Sequence, residues 1–337
     1  MIPEALLIDA LTARLDGLDE RHEGAWRLFN GFTEGWPDLA VDVLARTLVL
    51  QDYSAEPHGD DTLQTLVELY RRALPWLTAA IVKPRMADVQ TRRGRVLWGQ
   101  PDRRLREDGV RYAVDLLLNR DTGFYLDTRG LRAWLKARAS GKRMLNAFAY
   151  TGSLGAAALA GGATQVVQLD RARAFLNVAK ETYTLNGFPI HKADFVTEDF
   201  FIAASRWRRQ DKAFDLVVLD PPPFAESAAG VVDLQAAYGR LLNKARPLVA
   251  HGGALIAINN ALFSSGADFL NVLEAACADG YLSIESLIPV PQDLIGYAST
   301  APLWPADPTP FNHPTKMAVL RVSRKTIDEG RMPKDEG

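Results

Sequence analysis

Residue types able to bind and react recur at intervals between residues 146 and 260. They are Asn146-Ala-Phe-Ala-Tyr-Thr-Gly152-Ser-Leu-Gly155, Asp170, Asp199, Asp220-Pro221-Pro222-Pro-Phe224 and Asn259-Asn260. Each group follows a short apolar run that reads as a β-strand. In an open parallel α/β sheet, ligands bind beyond the carboxyl ends of the strands. Gly152 and Gly155 permit close backbone approach where a turn enters a helix. Asp170, after the second such strand, is placed to accept both hydroxyls of a ribose, the logic that selects an acidic ribose ligand in dinucleotide folds. Asp199 is placed to accept from an adenine amino group. Asp-Pro-Pro makes a stiff corner, because proline fixes its own φ and restricts the residue before it. The set fits a nucleoside-bearing cofactor beside a flat acceptor. GxGxxG and GxxxxGK[ST] are both absent, which argues against a nicotinamide site and a P-loop.

Plainer readings stand beside these. An Asp at a strand end also caps the helix that follows. Asn259 and Asn260 also suit a turn, and Phe148, Tyr150 and Phe224 also suit a core.

The elements that position these residues alternate between strand and helix from about residue 125 onward, which predicts a parallel sheet with crossover helices. Strands are expected at 143–149, 165–169, 191–196, 213–219, 253–259 and 315–322, and helices at 129–139, 153–160, 172–186, 199–209, 234–249 and 268–278. The preceding part reads as a helix at 3–20, a hairpin ending at 47–53, a helix at 60–74, strands at 79–83, 94–98 and 111–118, and a charged loop at 101–109. The expected organisation is a small α+β domain at 1–115, a doubly wound Rossmann-like α/β domain at 116–325 and a charged tail at 326–337.

Across 337 residues, 39 Lys and Arg stand against 41 Asp and Glu, a net charge of −2. That balance gives no global attraction to nucleic acid or membrane, though a local basic patch needs few residues. The acidic amphipathic start lacks the pattern of a signal peptide, and no apolar run reaches the roughly 18–20 residues that span a bilayer. One cysteine, Cys277, excludes an internal disulfide, and the five histidines lack metal-ligand spacing. Cys277 lies in an apolar helical pattern and reads as a packed thiol. The expectation is a cytoplasmic protein with no metal or membrane partner, either monomer or homodimer.

Arg27-Leu-Phe-Asn-Gly, Asp121-Thr-Gly-Phe-Tyr-Leu-Asp-Thr-Arg, Asn146-Ala-Phe-Ala-Tyr-Thr-Gly, Leu169-Asp and Phe214-Asp-Leu-Val-Val-Leu-Asp-Pro-Pro-Pro-Phe together resemble the bacterial large-subunit ribosomal RNA methyltransferases of types I and K. The resemblance covers most of residues 27–325 and implies a class I fold, S-adenosylmethionine as cofactor and ribosomal RNA as partner. It implies that Phe124, Tyr125, Asp127 and Arg129 help form the cofactor site with Asn146, Phe148, Tyr150, Thr151, Gly152, Asp170, Arg171, Asp199, Phe200 and Asp220. Asp220, Pro221, Pro222, Phe224, Asn259 and Asn260 then face the acceptor, Phe224 as a base-stacking ring. In this family the FxYTG turn replaces the usual glycine-rich one, with Phe148 and Tyr150 at two glycine positions.

Two departures bear on the acceptor. Members that methylate cytosine C5 carry an N-terminal PUA domain, and this chain begins too late for one. They also carry a cysteine after the fifth strand, where this chain reads Ile258-Asn259-Asn260. Pyrimidine C5 needs a covalent thiolate at C6, whereas guanine N7 has a lone pair and needs positioning. Cys277 lies seventeen residues beyond Asn260, so guanine N7 is favoured over cytosine C5. Trp26, Arg27, Trp36, Lys83 and Arg85 are candidates for an RNA face. The alternatives are methylation of a small molecule or protein, or a non-catalytic RNA-binding protein retaining the fold.

Overall fold

A computed structural model describes residues 2–88, 91–222, 224–227, 230–233, 238–262, 264–302 and 307–324. The expected tail at 326–337 lies outside them. The chain opens with helix α1 (Glu4–Thr12), shorter than the 3–20 expected. It stops there because Arg14 folds its guanidinium inward, donating to the Ala10 carbonyl at 2.8 Å and to both Glu34 oxygens at 2.9 and 3.0 Å.

A five-stranded sheet follows in spatial order β1 (Ala25–Asn30), β2 (Leu39–Leu44), β3 (Thr47–Asp52), β4 (Ala79–Pro84) and β5 (Arg95–Gly99). The short helix α2 (Gly31–Glu34) follows β1, and α3 (Asp60–Ala73) crosses from β3 to the parallel β4. Leu63, Leu66, Val67 and Tyr70 form the buried stripe of α3, which packs on this sheet beside α1. The stretch 101–109, expected as a loop, holds strand β6 (Arg104–Glu107), paired with β7 (Val110–Ala113). The missed signal is Asp108-Gly109 at φ 48° and 79°, the turn that closes a two-residue hairpin.

The second sheet is doubly wound. Its elements are α4 (Arg129–Arg138), β8 (Arg143–Ala147), α5 (Ser153–Ala160), β9 (Gln165–Asp170), α6 (Arg173–Asn186), β10 (Phe195–Thr197), α7 (Phe200–Arg209) and β11 (Phe214–Leu219). A hairpin of β12 (Phe224–Ser227) and β13 (Gly230–Asp233) leads to α8 (Tyr238–Ala245), β14 (Val249–Asn259), α9 (Gly266–Cys277), β15 (Leu282–Ile288), α10 (Gln292–Ile295) and β16 (Lys316–Val322). The spatial order is β10-β9-β8-β11-β14-β16-β15. The first five strands are parallel, and β16 runs antiparallel between β14 and β15. β15 was missed although Leu-Ser-Ile-Glu-Ser-Leu-Ile alternates as a strand does.

Chain order reverses between β8 and β11, so the ligand crevice opens at their carboxyl ends. Ala147 pairs with Leu219 and with Leu169, which sets the turn after β8 beside both Asp170 and Asp220. One face of the sheet packs on α7, α8 and α9. The other packs on α4, α5 and α6, and its core also takes in Ala25, Leu44, Val49 and Ile81 of the first sheet. Leu105, Val110 and Tyr112 share that core, so buried packing continues across residue 115. No helix among the described residues is long and apolar enough to cross a membrane.

Candidate active site

The turn after β8 is built of backbone that side chains normally avoid. Phe148, Tyr150 and Gly152 lie at φ 59°, 49° and 77°. Left-handed φ costs an ordinary residue roughly 1–2 kcal/mol, so Phe148 and Tyr150 must be held in place. The Ala149 N–H donates to the Leu169 carbonyl at 2.9 Å, and the Tyr150 N–H to Asp170 Oδ2 at 2.8 Å. The Tyr150 hydroxyl donates to Asn119 and accepts from the Gly123 N–H at 3.1 Å. Thr151 Oγ1 donates to the Gly123 carbonyl at 2.6 Å. The turn therefore has the conformation of a glycine loop, with 119–123 clamped over it by side chains that glycine could not supply.

Asp170 anchors the turn from β9. Its second oxygen accepts from the Ala172 N–H at 2.8 Å, and burial pushes its carboxyl above the usual range against these hydrogen bonds. Arg171 lies exposed beside it. Asn146 is buried beneath the turn, donating at 2.8 Å to Gln168, which reaches on to the Gly152 carbonyl and the Tyr183 hydroxyl. Gly155 does not face a ligand: a Cβ there would lie 2.1 Å from Gln168 Nε2, so its role is to seat α5 on β9. Asp199 caps α7 through Oδ1, accepting from the Phe201 and Ile202 N–H groups. Phe200 is buried with its ring centroid 5.3 Å from that of Phe148.

At the end of β11, Asp220 Oδ1 accepts from Asn260 Nδ2 at 3.0 Å, joining the fourth and fifth strand ends. Burial raises the Asp220 carboxyl from 3.8 to about 7, with Asn260 opposing the shift and the Asp127 charge adding to it. An acid raised in this way costs nothing while it is protonated in both states. As pH rises from about 4 to about 7 the unfolded chain ionises first, so stability falls, and the cost is complete above about 7. Asp220→Asn is therefore expected to melt above the parent at pH 8 and level with it at pH 4; equal melting at both would show that Asp220 ionises freely in the fold.

Asn259 serves its own turn, its Oδ1 accepting from the Ala261 N–H at 2.9 Å. Asn260 Oδ1 is buried without a partner. Pro221 is buried and Pro222 exposed. Phe224 begins β12, and its side chain lies outside the described residues.

The 119–129 segment divides. Phe124 is buried under the Arg132 guanidinium, 4.0 Å from its ring centroid. Tyr125 packs 5.1 Å from Tyr150 and donates to Asp121 at 3.0 Å. Asp127 Oδ2 accepts from Thr315 Oγ1, while its Oδ1 is buried and unpartnered. Arg129 points elsewhere, bonding Asp293 at 2.8 Å and the Ala25 carbonyl at 2.7 Å and stacking 4.1 Å over Trp26. It braces β1 against α10 rather than facing the crevice.

A cleft of about 870 Å³ lies beside these strand ends. Its walls include Gln51 of β3 and Tyr53 just after it, Arg120 of the clamp and Tyr125 just beyond it, and Asn312 and His313 from the loop before β16. Sequence reasoning missed all of these but Tyr125; the one available signal was His313-Pro314 immediately before the last strand. The residues expected at an RNA face divide. Lys83 is wholly buried, its ammonium held by the carbonyls of Arg93, Asn119 and Asp121 at 2.7–3.2 Å and pushed down to about 8 by burial. Arg27 is paired with Asp42 and Arg85 with Asp121, although both line the cleft. Trp36 sits edge-on to His58 at 5.5 Å.

The strand ends thus present two carboxylates, Asp170 and Asp220, beside a turn of glycine-like backbone, and Asp127 from the segment before α4 adds its charge near Asp220. That donor set suits a ribose and a cationic group. Among the described residues no cluster of His, Cys, Asp and Glu could hold a metal ion.

A protein-family model described as S-adenosylmethionine-dependent methyltransferase matches residues 26–294. The chain is 30 % identical over 309 residues to the ribosomal RNA large subunit methyltransferase I of Photobacterium profundum, covering 90 % of this chain and 75 % of that protein. It is 32 % identical over 251 residues to the protein of that name from Serratia proteamaculans, covering 73 % of this chain and 62 % of that protein. A solved candidate methyltransferase complexed with SAH has the same fold, with a TM-score of 0.81 at 22 % identity over 95 % of this chain and 80 % of the other.

Proposed function

We propose that this chain, which belongs to the S-adenosylmethionine-dependent methyltransferase family, methylates a base of ribosomal RNA in the cytoplasm, by direct transfer to guanine N7 rather than through a cysteine adduct at cytosine C5. The names of the curated relatives support ribosomal RNA as substrate. S-adenosylmethionine, when bound, supplies the methyl group as an electrophile. In this reading Asp170 holds the ribose hydroxyls, Asp199 and Phe200 border the adenine, and the 148–152 turn surrounds the methionine end. Asp220 and Asn260, bonded to each other at 3.0 Å, fix the acceptor in line, so the acceleration comes chiefly from proximity and orientation.

The observation that carries the choice of atom is the place of the chain's one thiol. Cys277 is the last residue of α9, packed against the core and pushed above its ordinary range by burial, with Asp279 and Glu274 adding to the shift. A nucleophilic cysteine needs the reverse, a lowered pKa close to the base. Cys277→Ser is expected to keep the parent's turnover, whereas Asn260→Ala should lose it by on the order of 100-fold, the cost of a misplaced acceptor. The assay is methyl transfer to unmodified ribosomal RNA, with the product nucleoside identified by mass spectrometry. A folded, cofactor-binding Cys277→Ser enzyme that is dead, or a trapped adduct with 5-fluorocytosine RNA, would refute this account.

A further inference from the structure

Residues lining the cleft carry polar atoms that the fold itself leaves unused, three acceptors and one donor, the Arg85 Nε–H. Gln51 Oε1, Asp127 Oδ1 and Asn312 Oδ1 are buried acceptors without partners, and all three residues line the cleft. The Gln51 amide is oriented by its other end, Nε2 donating to the Asp42 carboxylate at 3.2 Å, and Asn312 Nδ2 donates to the Thr309 hydroxyl at 3.0 Å. Native structures rarely leave buried acceptors empty, so each one calls for an explanation, of which a ligand is one.

His313 adds a donor of fixed identity. Its Nδ1 accepts from the Thr315 N–H at 3.0 Å, which leaves the ring proton on Nε2, and Nε2 finds no partner among the described residues. Burial, with Arg27 and Lys316 nearby, pushes the imidazole below its ordinary range despite the Asp127 charge, so the ring is neutral. Thr315 also donates its hydroxyl to Asp127 Oδ2, so one residue orients both His313 and Asp127.

We propose that His313, Asp127, Asn312 and Gln51 read the Watson–Crick edge of a guanine held in this cleft, and so set the base specificity of the enzyme. The inference rests on the reading of the chain as an RNA base methyltransferase. Guanine offers one acceptor, O6, beside three N–H donors, one on N1 and two on N2. His313 Nε2–H with the three empty acceptors complements that edge, and the Arg85 Nε–H is left over for another part of the nucleotide. Adenine reverses the order, with donors on N6 next to an acceptor at N1. Cytosine has donors on N4 alone, and uracil has one N–H between two acceptors. A guanine held by N1, N2 and O6 keeps the N7 lone pair free, and methylation there removes no proton.

The test is binding of 5′-GMP and 5′-AMP to protein saturated with S-adenosylhomocysteine, followed by saturation-transfer NMR and calorimetry. GMP should bind at least 10-fold more tightly than AMP to the parent. His313→Phe and Asn312→Leu should abolish that preference while leaving S-adenosylhomocysteine affinity and the melting temperature unchanged. His313→Gln, which keeps an N–H donor, should retain part of it. Equal binding of the two nucleotides, binding of neither, or an undiminished GMP preference in His313→Phe overturns the proposal. If ribosomal RNA is methylated while GMP and AMP bind alike, only this inference fails. If GMP is preferred but no RNA is methylated, the functional reading fails and guanine recognition stands.

Discussion

Asp170→Ala is expected to weaken S-adenosylhomocysteine binding by about 10- to 150-fold, the worth of a charge-assisted hydrogen bond at roughly 1.5–3 kcal/mol. Two losses combine in that figure. On the proposed reading the ribose loses its acceptor, and the Tyr150 N–H loses the oxygen that holds it at 2.8 Å. With Tyr150 at φ 49°, the turn then has a reason to relax away from its glycine-like path. Asp170→Asn keeps one oxygen and should fall between alanine and the parent. Calorimetry on the folded variants decides the matter, and parent-like affinity in Asp170→Ala would remove this residue from the cofactor site.

Arg132→Met should be strongly destabilising, by about 3–5 kcal/mol, because it leaves the part-buried Glu107 with only the longer Arg129 pair at 3.6 Å. Arg132 is 1 % exposed and donates to both Glu107 oxygens at 2.6 and 2.9 Å, to the Tyr125 carbonyl at 2.7 Å and to Thr128 Oγ1 at 2.8 Å. Its guanidinium also covers Phe124, so the chain just after the clamp over the 148–152 turn is tied to this one side chain. Adding Glu107→Leu to Arg132→Met should recover most of the loss, since no bare charge then remains. Urea denaturation monitored by circular dichroism measures both. A loss below about 1 kcal/mol for the single variant would mean that Glu107 finds water or another partner when Arg132 is gone.

The architecture was legible because periodicity survives context. Strand and helix alternation after residue 125 predicted a parallel sheet, and β8, β9, β11 and β14 lie where the apolar runs placed them. Asp170 and Asp220 were placed at strand ends by the same logic: Asp170 ends β9, and Asp220 follows β11, one of the two strands at the reversal of order. What a side chain does after arriving was less legible. Lys83 and Arg129 carry charges that sequence reading assigns to a ligand, yet backbone carbonyls surround the first and Asp293 holds the second. Gly155 looked like a residue kept small for a ligand and is kept small for Gln168. His313 was passed over for a different reason. It lies more than fifty residues beyond Asn260, and only the return of the chain along β16 brings it to the cleft.

That return has a consequence for how the protein is made. β16 is inserted between β14 and β15, so β14 has no neighbour on that side until residues 316–322 have been synthesised. Translation at roughly 5–20 residues per second separates the end of β14 from the end of β16 by several seconds. Throughout that interval the edge Ala254-Leu-Ile-Ala-Ile offers unpaired backbone and apolar side chains to any passing strand. A ribosome stalled shortly before Lys316 would carry a chain with most of the 148–152 turn in place, an open β-edge and no finished cleft. Such nascent chains are where chaperone capture should be strongest, and it should end abruptly once β16 is free to enter the sheet.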